Sequence, residues 1–203
     1  MANPRMEEKI QTVKWERRRI PLLYPALQKG VLVRVRLGVS IHSLLCGQLG
    51  LDPDYVAKRI QTAFLNGKPV DDFEEAVVGE GAVLTLSGAL PGLAGATLRK
   101  GGFYSSMRAS VSYTSEAGKE RGKEGFLTVR IFNILLPELA PVLLARGIFF
   151  PQKEFAAFLG DLEPKERTDY ARDGGGGEVP RQPEAGEPRE TGEGAWVVVQ
   201  SER

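Results

Sequence analysis

Cysteine and histidine are almost missing from this chain, which has one of each, Cys46 and His42, among its 203 residues. A single cysteine cannot form an internal disulfide, and this is typical of proteins from reducing compartments. The same scarcity excludes a structural zinc site of the usual cysteine and histidine composition within one chain. Cys46 stands among leucines, so we expect a buried, inert thiol. We expect no metal and no cofactor.

Long apolar runs and a strong net charge are also missing. The longest apolar region, 134–150, is interrupted by Glu138, Arg146 and two prolines, which makes it a poor membrane span. The first residues lack the apolar stretch of a signal peptide. The formal net charge is +1, whereas nucleic-acid-binding domains are usually strongly basic. These absences predict a cytoplasmic protein whose partner is neither a membrane nor a nucleic acid.

The common catalytic motifs do not occur in the sequence. It has no Gly-x-Ser-x-Gly elbow, no phosphate-binding loop of the Gly-x-x-x-x-Gly-Lys type and no Gly-x-Gly-x-x-Gly fingerprint. An acidic group could hold a divalent cation or supply an acid–base pair, although a solvated turn explains it more simply. The group consists of Asp71, Asp72, Glu74 and Glu75. We assign no catalytic residue, and an enzyme that uses this carboxylate cluster stays an alternative.

The first half of the chain has the pattern of a mixed α and β domain. In residues 31–37, three valines and Leu37 alternate with Leu32 and two arginines, which predicts a strand with one buried face. Asp52-Pro53-Asp54 supplies an N-cap, a proline at the first helical position and an acid in the first turn, so a helix begins there. The dipeptide Asn66-Gly67 is the strongest short signal for a hairpin turn. The further expected elements are an edge strand in 10–20, a helix from 41 to about 47, and strands at 62–65, 68–72 and 82–87.

The second half is predicted to contain a strand pair, two helices and an isolated last strand. An amphipathic strand at 103–114 is expected to pair with 126–133, and helices are expected at 135–146 and after Pro151. The region 164–194 is rich in glycine, proline and charge, which predicts a disordered acidic linker. Trp196, Val197, Val198 and Val199 have a strong strand preference and would be an aggregation hazard in water. We therefore expect this segment to bind a sheet edge, either in its own chain or in a partner.

The order strand, helix, strand, Asn-Gly turn and strand resembles a β-grasp domain of the ubiquitin-like, ThiS/MoaD type. The resemblance covers residues 10–90. It is carried by Ala-Phe-Leu-Asn-Gly-Lys-Pro-Val at 63–70 and by Val-Gly-Glu-Gly-Ala-Val-Leu-Thr-Leu at 78–86. It implies a mixed sheet with a helix packed on it, as in sulfur carriers and ubiquitin-like modifiers.

Members of that family end in Gly-Gly, and this chain has Gly101 and Gly102 just after the resembling region. Carrier chemistry would need cleavage after Gly102, because about a hundred residues follow it. A turn before the expected strand at 103–114 is the simpler explanation of the two glycines. A processed carrier activated at Gly102 is therefore an alternative to the leading hypothesis.

Together these patterns predict an α+β protein with a β-grasp-like mixed sheet and a smaller C-terminal portion of a strand hairpin and two helices. The predicted organisation is a frayed N-terminus (1–9), a β-grasp-like domain (10–95), an α+β portion (96–163), the linker (164–194) and a C-terminal strand (195–203). The sequence does not decide whether the two portions share one core. The leading functional hypothesis is a non-enzymatic protein-binding or assembly protein. Its partner is a protein or a second copy, bound through an open sheet edge.

Overall fold

The structure is a computed structural model that describes residues 10–15, 17–89, 95, 122–162 and 194–199. Its strands are β1 (Ile10–Trp15), β2 (Val31–Arg36), β3 (Val39–Ser40), β4 (Thr62–Leu65), β5 (Lys68–Pro69), β6 (Val77–Val78), β7 (Val83–Ser87), β8 (Glu124–Phe132), β9 (Ile148–Pro151) and β10 (Gly194–Val199). Eight of them form one mixed sheet in the order β1-β10-β9-β2-β8-β7-β4-β5, and β3 pairs with β6. The pairs β1–β10 and β7–β8 are parallel and the others are antiparallel.

Helices pack against this sheet, so the predicted α+β class is confirmed. They are a 3-10 helix (Arg17–Leu23), α1 (Tyr24–Lys29), a π-helix (Ser43–Gln48), α2 (Pro53–Arg59), α3 (Leu135–Arg146) and α4 (Gln152–Asp161). Helix α2 begins as its sequence predicts, because the Asp52 carboxylate accepts a hydrogen bond from the Tyr55 amide at 3.1 Å. This bond satisfies one of the amides that the first turn of a helix leaves without an intrahelical partner.

The hydrophobic core lies between one face of the sheet and the helices. Val31, Val33 and Val35 of β2 are almost fully buried, while Arg34 and Arg36, which follow Val33 and Val35, are exposed. The alternation confirms the strand and the face predicted for 31–37. Strand β8 lies between β2 and β7, and its buried residues join the same hydrophobic cluster as theirs. The described residues before 90 and after 121 therefore share one core, a question that the sequence left open.

The hairpin predicted at Asn66-Gly67 is present between β4 and β5. Asn66 has φ of 52° and Gly67 has φ of 78°, so both residues occupy the left-handed region. Two positive φ values in a two-residue loop match the twist of an antiparallel hairpin. The Asn66 side chain also accepts a hydrogen bond from the Val83 amide at 2.8 Å, which ties the turn to β7. This turn is therefore encoded locally.

Several elements differ from the prediction. The strand expected in 10–20 ends at Trp15, and a 3-10 helix with Pro21 inside it follows. The helix expected from 41 is largely a π-helix, in which the Leu49 amide donates to the Leu44 carbonyl five residues earlier at 2.9 Å. Strand β9 was not predicted, since its apolar residues continue the apolar pattern of α3. The strand expected at 103–114 and most of the predicted linker lie outside the described residues. The expected partner of that strand, 126–133, forms most of β8, which pairs instead with β2 and β7.

Candidate interaction site at the end of the sheet

The C-terminal strand β10 lies inside the sheet, between β1 and β9. It runs parallel to β1, where Val197 pairs in register with Val13, and antiparallel to β9, where Val197 pairs with Ile148. The Val197 side chain is fully buried. The segment Trp196–Val199 thus forms a strand paired within its own chain. Both of its backbone edges have neighbours, so β10 is not itself an edge strand.

Its neighbour β1 is the outermost strand at this end of the described sheet. Six residues of β1 pair with β10 on one side. Among the described residues, no strand pairs with the other side. At the opposite end, β5 has only two residues and one of them is Pro69, which lacks a backbone donor. Of the two ends, β1 therefore offers the longer row of backbone groups for pairing.

A third stretch of strand edge, in β2, is covered by side chains. Residue Leu32 pairs with Phe149 of β9, but β9 does not extend along Arg34 and Arg36. There the side-chain amide of Gln48 accepts a hydrogen bond from the backbone N–H of Arg36 at 2.8 Å and donates one to the backbone carbonyl of Arg36 at 2.9 Å. The Arg146 guanidinium donates to the backbone carbonyls of Arg34, at 3.1 Å, and Gln48, at 2.7 Å. These two side chains take the place of a neighbouring strand.

A groove of about 550 Å³ lies on the helical side of the same sheet end. One wall comes from the 3-10 helix and α1, the other from α4, and the floor includes β9. Its apolar lining includes Leu22, Pro25, Ala26, Phe150, Ala157 and Phe158. The rings of Phe150 and Phe158 are stacked, with their centroids 5.7 Å apart. Three charged side chains also line it: Lys29 on the α1 wall, and Glu154 and Asp161 on the α4 wall.

A polar cluster joins α2 to α3. The Tyr55 hydroxyl donates to the Glu138 carboxylate at 2.7 Å, and the Arg59 guanidinium forms an ion pair with the same carboxylate. The hydrogen bonds from Arg59 and Tyr55 lower the pKa of Glu138 below its usual value. Burial, and then the hydrogen bond to Glu138, raise the pKa of Tyr55. With every member bound to another, this cluster is a structural link between two helices.

The remaining candidate groups for chemistry are Cys46, His42 and the acidic turn that contains Asp72 and Glu74. Cys46 was expected to be buried, but it is only half-buried and packs against the core. Partial desolvation, followed by the negative charges of Asp52 and Glu74, raises the pKa of its thiol, which keeps the thiol protonated at neutral pH. The His42 ring lies 2.9 Å from the Glu74 carboxylate. In the acidic turn, the Asp72 carboxylate accepts from the Glu74 amide at 2.7 Å. Among the described residues, no three histidine, cysteine or acidic side chains are placed to hold a metal ion.

The two groups of predicted site residues have different outcomes. In the strand segment Trp196–Val199, Val197 lies in the core and pairs with β1, the outermost strand. Gly101 and Gly102 fall outside the described residues. Sequence reasoning missed the groove, although α4 carried a signal. Its residues Glu154, Ala157, Phe158 and Asp161 follow the spacing i, i+3, i+4 and i+7, which places them on one helix face.

Comparison with known proteins yields no relative on which these features could be mapped. No protein-family model matches the chain, and neither a curated protein nor a solved structure is significantly similar to it. No helix in the described ranges is both long enough and apolar enough to cross a membrane. The candidate site therefore depends on its own geometry.

Proposed function

We propose that this chain is a non-enzymatic protein-binding or assembly protein that pairs through the outer edge of β1. The observation that carries the proposal is the position of β1, a six-residue strand with one neighbour in the described sheet. Unpaired backbone N–H and C=O groups along a strand edge are a template for an added strand. Main-chain hydrogen bonds then supply affinity, and alternate side chains supply specificity.

The side chains that cover the free edge of β2 support the choice of β1 as the pairing edge. Arg34 and Arg36 pair with β8 on one edge, and on the other edge, which β9 does not reach, Gln48 and Arg146 bind their backbone groups. The short β5 at the far end contains Pro69. Natural sheets use such devices to prevent association of exposed edges. No described side chain is seen to cover the outer edge of β1 in this way, which favours β1 as the edge that pairs with a partner.

We favour a second copy of the chain as the partner, joined edge to edge through β1. Two identical edges related by a two-fold axis form an antiparallel pair and extend both sheets into one. The β-grasp-like core, with Asn66-Gly67 between β4 and β5 and with β7 after it, would serve as the scaffold of this assembly. Carrier chemistry at Gly102 remains the alternative and predicts a chain that ends at that residue.

Two adjacent proline substitutions test the proposal. Because the N–H groups of neighbouring strand residues point to opposite edges, Thr12→Pro and Val13→Pro remove one donor that faces β10 and one that faces outwards. Native mass spectrometry at increasing concentration measures association, and denaturant unfolding measures stability. We expect one variant to lose self-association while its stability stays close to that of the parent. A parent chain that stays monomeric at all concentrations, or an association that neither variant weakens, would contradict the proposal.

A further inference from the structure

The groove between α1 and α4 has the volume and lining of a ligand site. At about 550 Å³ it falls within the range of roughly 300–1,000 Å³ that is common for small-molecule pockets. Such sites combine mostly apolar walls with a few placed polar groups. Here the apolar walls come from both sides, and the polar groups are three charges. The chemistry of a ligand can therefore be inferred from where these charges lie.

The two acids stand at the ends of one helix face. Glu154 and Asp161 are seven residues apart on α4, which corresponds to about 10 Å along the helix axis. Ala157 and Phe158 lie between them on the same face and also line the groove. Neither carboxylate forms an ion pair with another residue in the part of the chain that the structure describes. The α4 wall thus presents two negative charges with an apolar stretch between them.

We propose that this groove binds a linear polyamine, that is, a chain of methylene groups with an ammonium group near each end. Each ammonium would lie against one carboxylate, and the methylene groups would pack on Phe158 and on the apolar residues of the α1 wall. With two acids and one lysine, the lining carries a net negative charge that favours cations over anions. Lys29 lies on the opposite wall, where it weakens cation binding.

The first experiment is isothermal titration calorimetry of the full chain, at low ionic strength, with α,ω-diaminoalkanes of increasing length and with spermidine. We expect affinity to rise by about fourfold for each added methylene that becomes buried, until the diamine spans both acids. Octylamine has one charge and should bind more weakly than 1,8-diaminooctane, and suberate should not bind. Equal affinity for mono- and diamines, a preference for the dicarboxylate, or no binding of any diamine would overturn the proposal.

Variants that remove a negative or a positive charge from the groove test the role of charge. Glu154→Gln and Asp161→Asn should each weaken 1,8-diaminooctane binding by up to about fivefold, since both carboxylates are exposed. Lys29→Gln should strengthen binding. Asp54→Asn, at an exposed acid of α2 that does not line the groove, is the matched control and should change nothing. An unchanged affinity in both acid variants would contradict the inference.

A third variant tests the location. Ala157 is exposed on the groove wall, so Ala157→Trp should fill the groove without disturbing the core and should abolish diamine binding. An unchanged melting temperature without ligand would show that this variant is folded. Binding that survives Ala157→Trp would place the ligand elsewhere.

A lysine-rich peptide tests the class of ligand. If the chain binds such a peptide but not free spermidine, the ligand of the groove is a basic protein segment and the polyamine proposal is wrong. The β1 proline variant that keeps the stability of the parent should keep diamine binding, which separates this inference from the proposed function.

Discussion

The side-chain amide of Gln48 binds the backbone of Arg36 as a neighbouring strand would, with one hydrogen bond accepted and one donated. Gln48 is the last residue of the π-helix, so this contact ties the helix to the edge of β2. A carboxamide matches both the N–H and the C=O of one residue, because it contains a donor and an acceptor side by side. The pair explains how β2 remains satisfied where β9 ends.

Removing the Gln48 amide should therefore destabilise the fold. We expect Gln48→Ala to lower the free energy of unfolding by about 1 kcal/mol, since the N–H and C=O of the exposed Arg36 lose the half-buried Gln48 side chain as their partner. Gln48→Glu keeps the acceptor for the Arg36 amide but loses the donor to the Arg36 carbonyl. Its free energy of unfolding should therefore fall by no more than that of Gln48→Ala. Gln28→Ala, at an exposed glutamine of α1, is the control and should stay within about 0.5 kcal/mol of the parent in urea unfolding. Equal stability of Gln48→Ala and Gln28→Ala would show that the hydrogen bonds between Gln48 and the Arg36 backbone do not stabilise the fold.

The link between α2 and α3 predicts a pH-dependent stability. The pKa of Glu138 is lower in the folded chain than its usual value, because Arg59 and Tyr55 donate hydrogen bonds to its carboxylate. A lowered pKa contributes stability that is present above the unfolded-state pKa and is lost as the pH falls through the folded-state pKa. The stability difference between the parent and Glu138→Gln should therefore be largest near pH 7 and shrink below about pH 4.5.

Urea unfolding of both chains between pH 7 and pH 3 measures this difference. The contribution should be modest, because the Glu138 side chain is 31% exposed and solvent screens the ion pair. Tyr55→Phe should lose about 1 kcal/mol at neutral pH, since it removes one hydrogen bond to a charged acceptor. A stability difference for Glu138→Gln that grows towards acidic pH would contradict the assignment.

Cys46 should react slowly with thiol reagents. Burial and nearby negative charges raise its pKa, so little thiolate exists at neutral pH, and the thiolate is the reactive form. Because it is the only cysteine, the labelling rate with iodoacetamide reports this site alone. We expect labelling at pH 7.5 to be slower in the folded chain than in the same chain unfolded in urea. Faster labelling in the folded chain would indicate an activated thiol and would reopen the case for an enzyme.

The C-terminal strand should be required for the stability of its end of the sheet. Val197 is fully buried and lies in register with both Val13 and Ile148. Val197→Ala should lower the free energy of unfolding by roughly 1–3 kcal/mol, through lost apolar burial and a residual cavity. Deleting residues 195–203 should have a larger effect, because β1 loses its only neighbour in the described sheet. A deletion that leaves both melting temperature and mass in solution unchanged would show that β10 is dispensable.

The parts of the fold that local chemistry decides were predictable from the sequence. The cap at Asp52, the turn at Asn66-Gly67 and the alternation in β2 all depend on neighbouring residues, and all three were confirmed. The insertion of β8 between β2 and β7 was not predictable, because it depends on pairing between distant segments. Strand β9 was missed because a short apolar run directly after an apolar helix has no periodicity of its own.

The candidate site was predictable in part. The strand preference of Trp196–Val199 correctly indicated a segment that joins a sheet, but it could not indicate that the segment would lie between β1 and β9. The groove depends on four elements that meet only in the folded chain, the 3-10 helix, α1, β9 and α4. The role of Gln48 was likewise hidden, since a polar residue near the end of a helical segment is usually solvated. A site assembled by tertiary packing leaves only weak local signals, such as the spacing of Glu154 and Asp161.

The most direct test of the proposed function is amide hydrogen exchange of the segment 10–15, measured by mass spectrometry in dilute and in concentrated solutions of the full chain. In the monomer, about half of the β1 amides face outwards and should exchange quickly, while those bonded to β10 are protected. If β1 pairs with a second copy, the outward-facing amides become protected as concentration and assembly mass rise together. If assembly forms while the exchange of β1 stays unchanged, or if concentration alters neither quantity, the central claim is wrong.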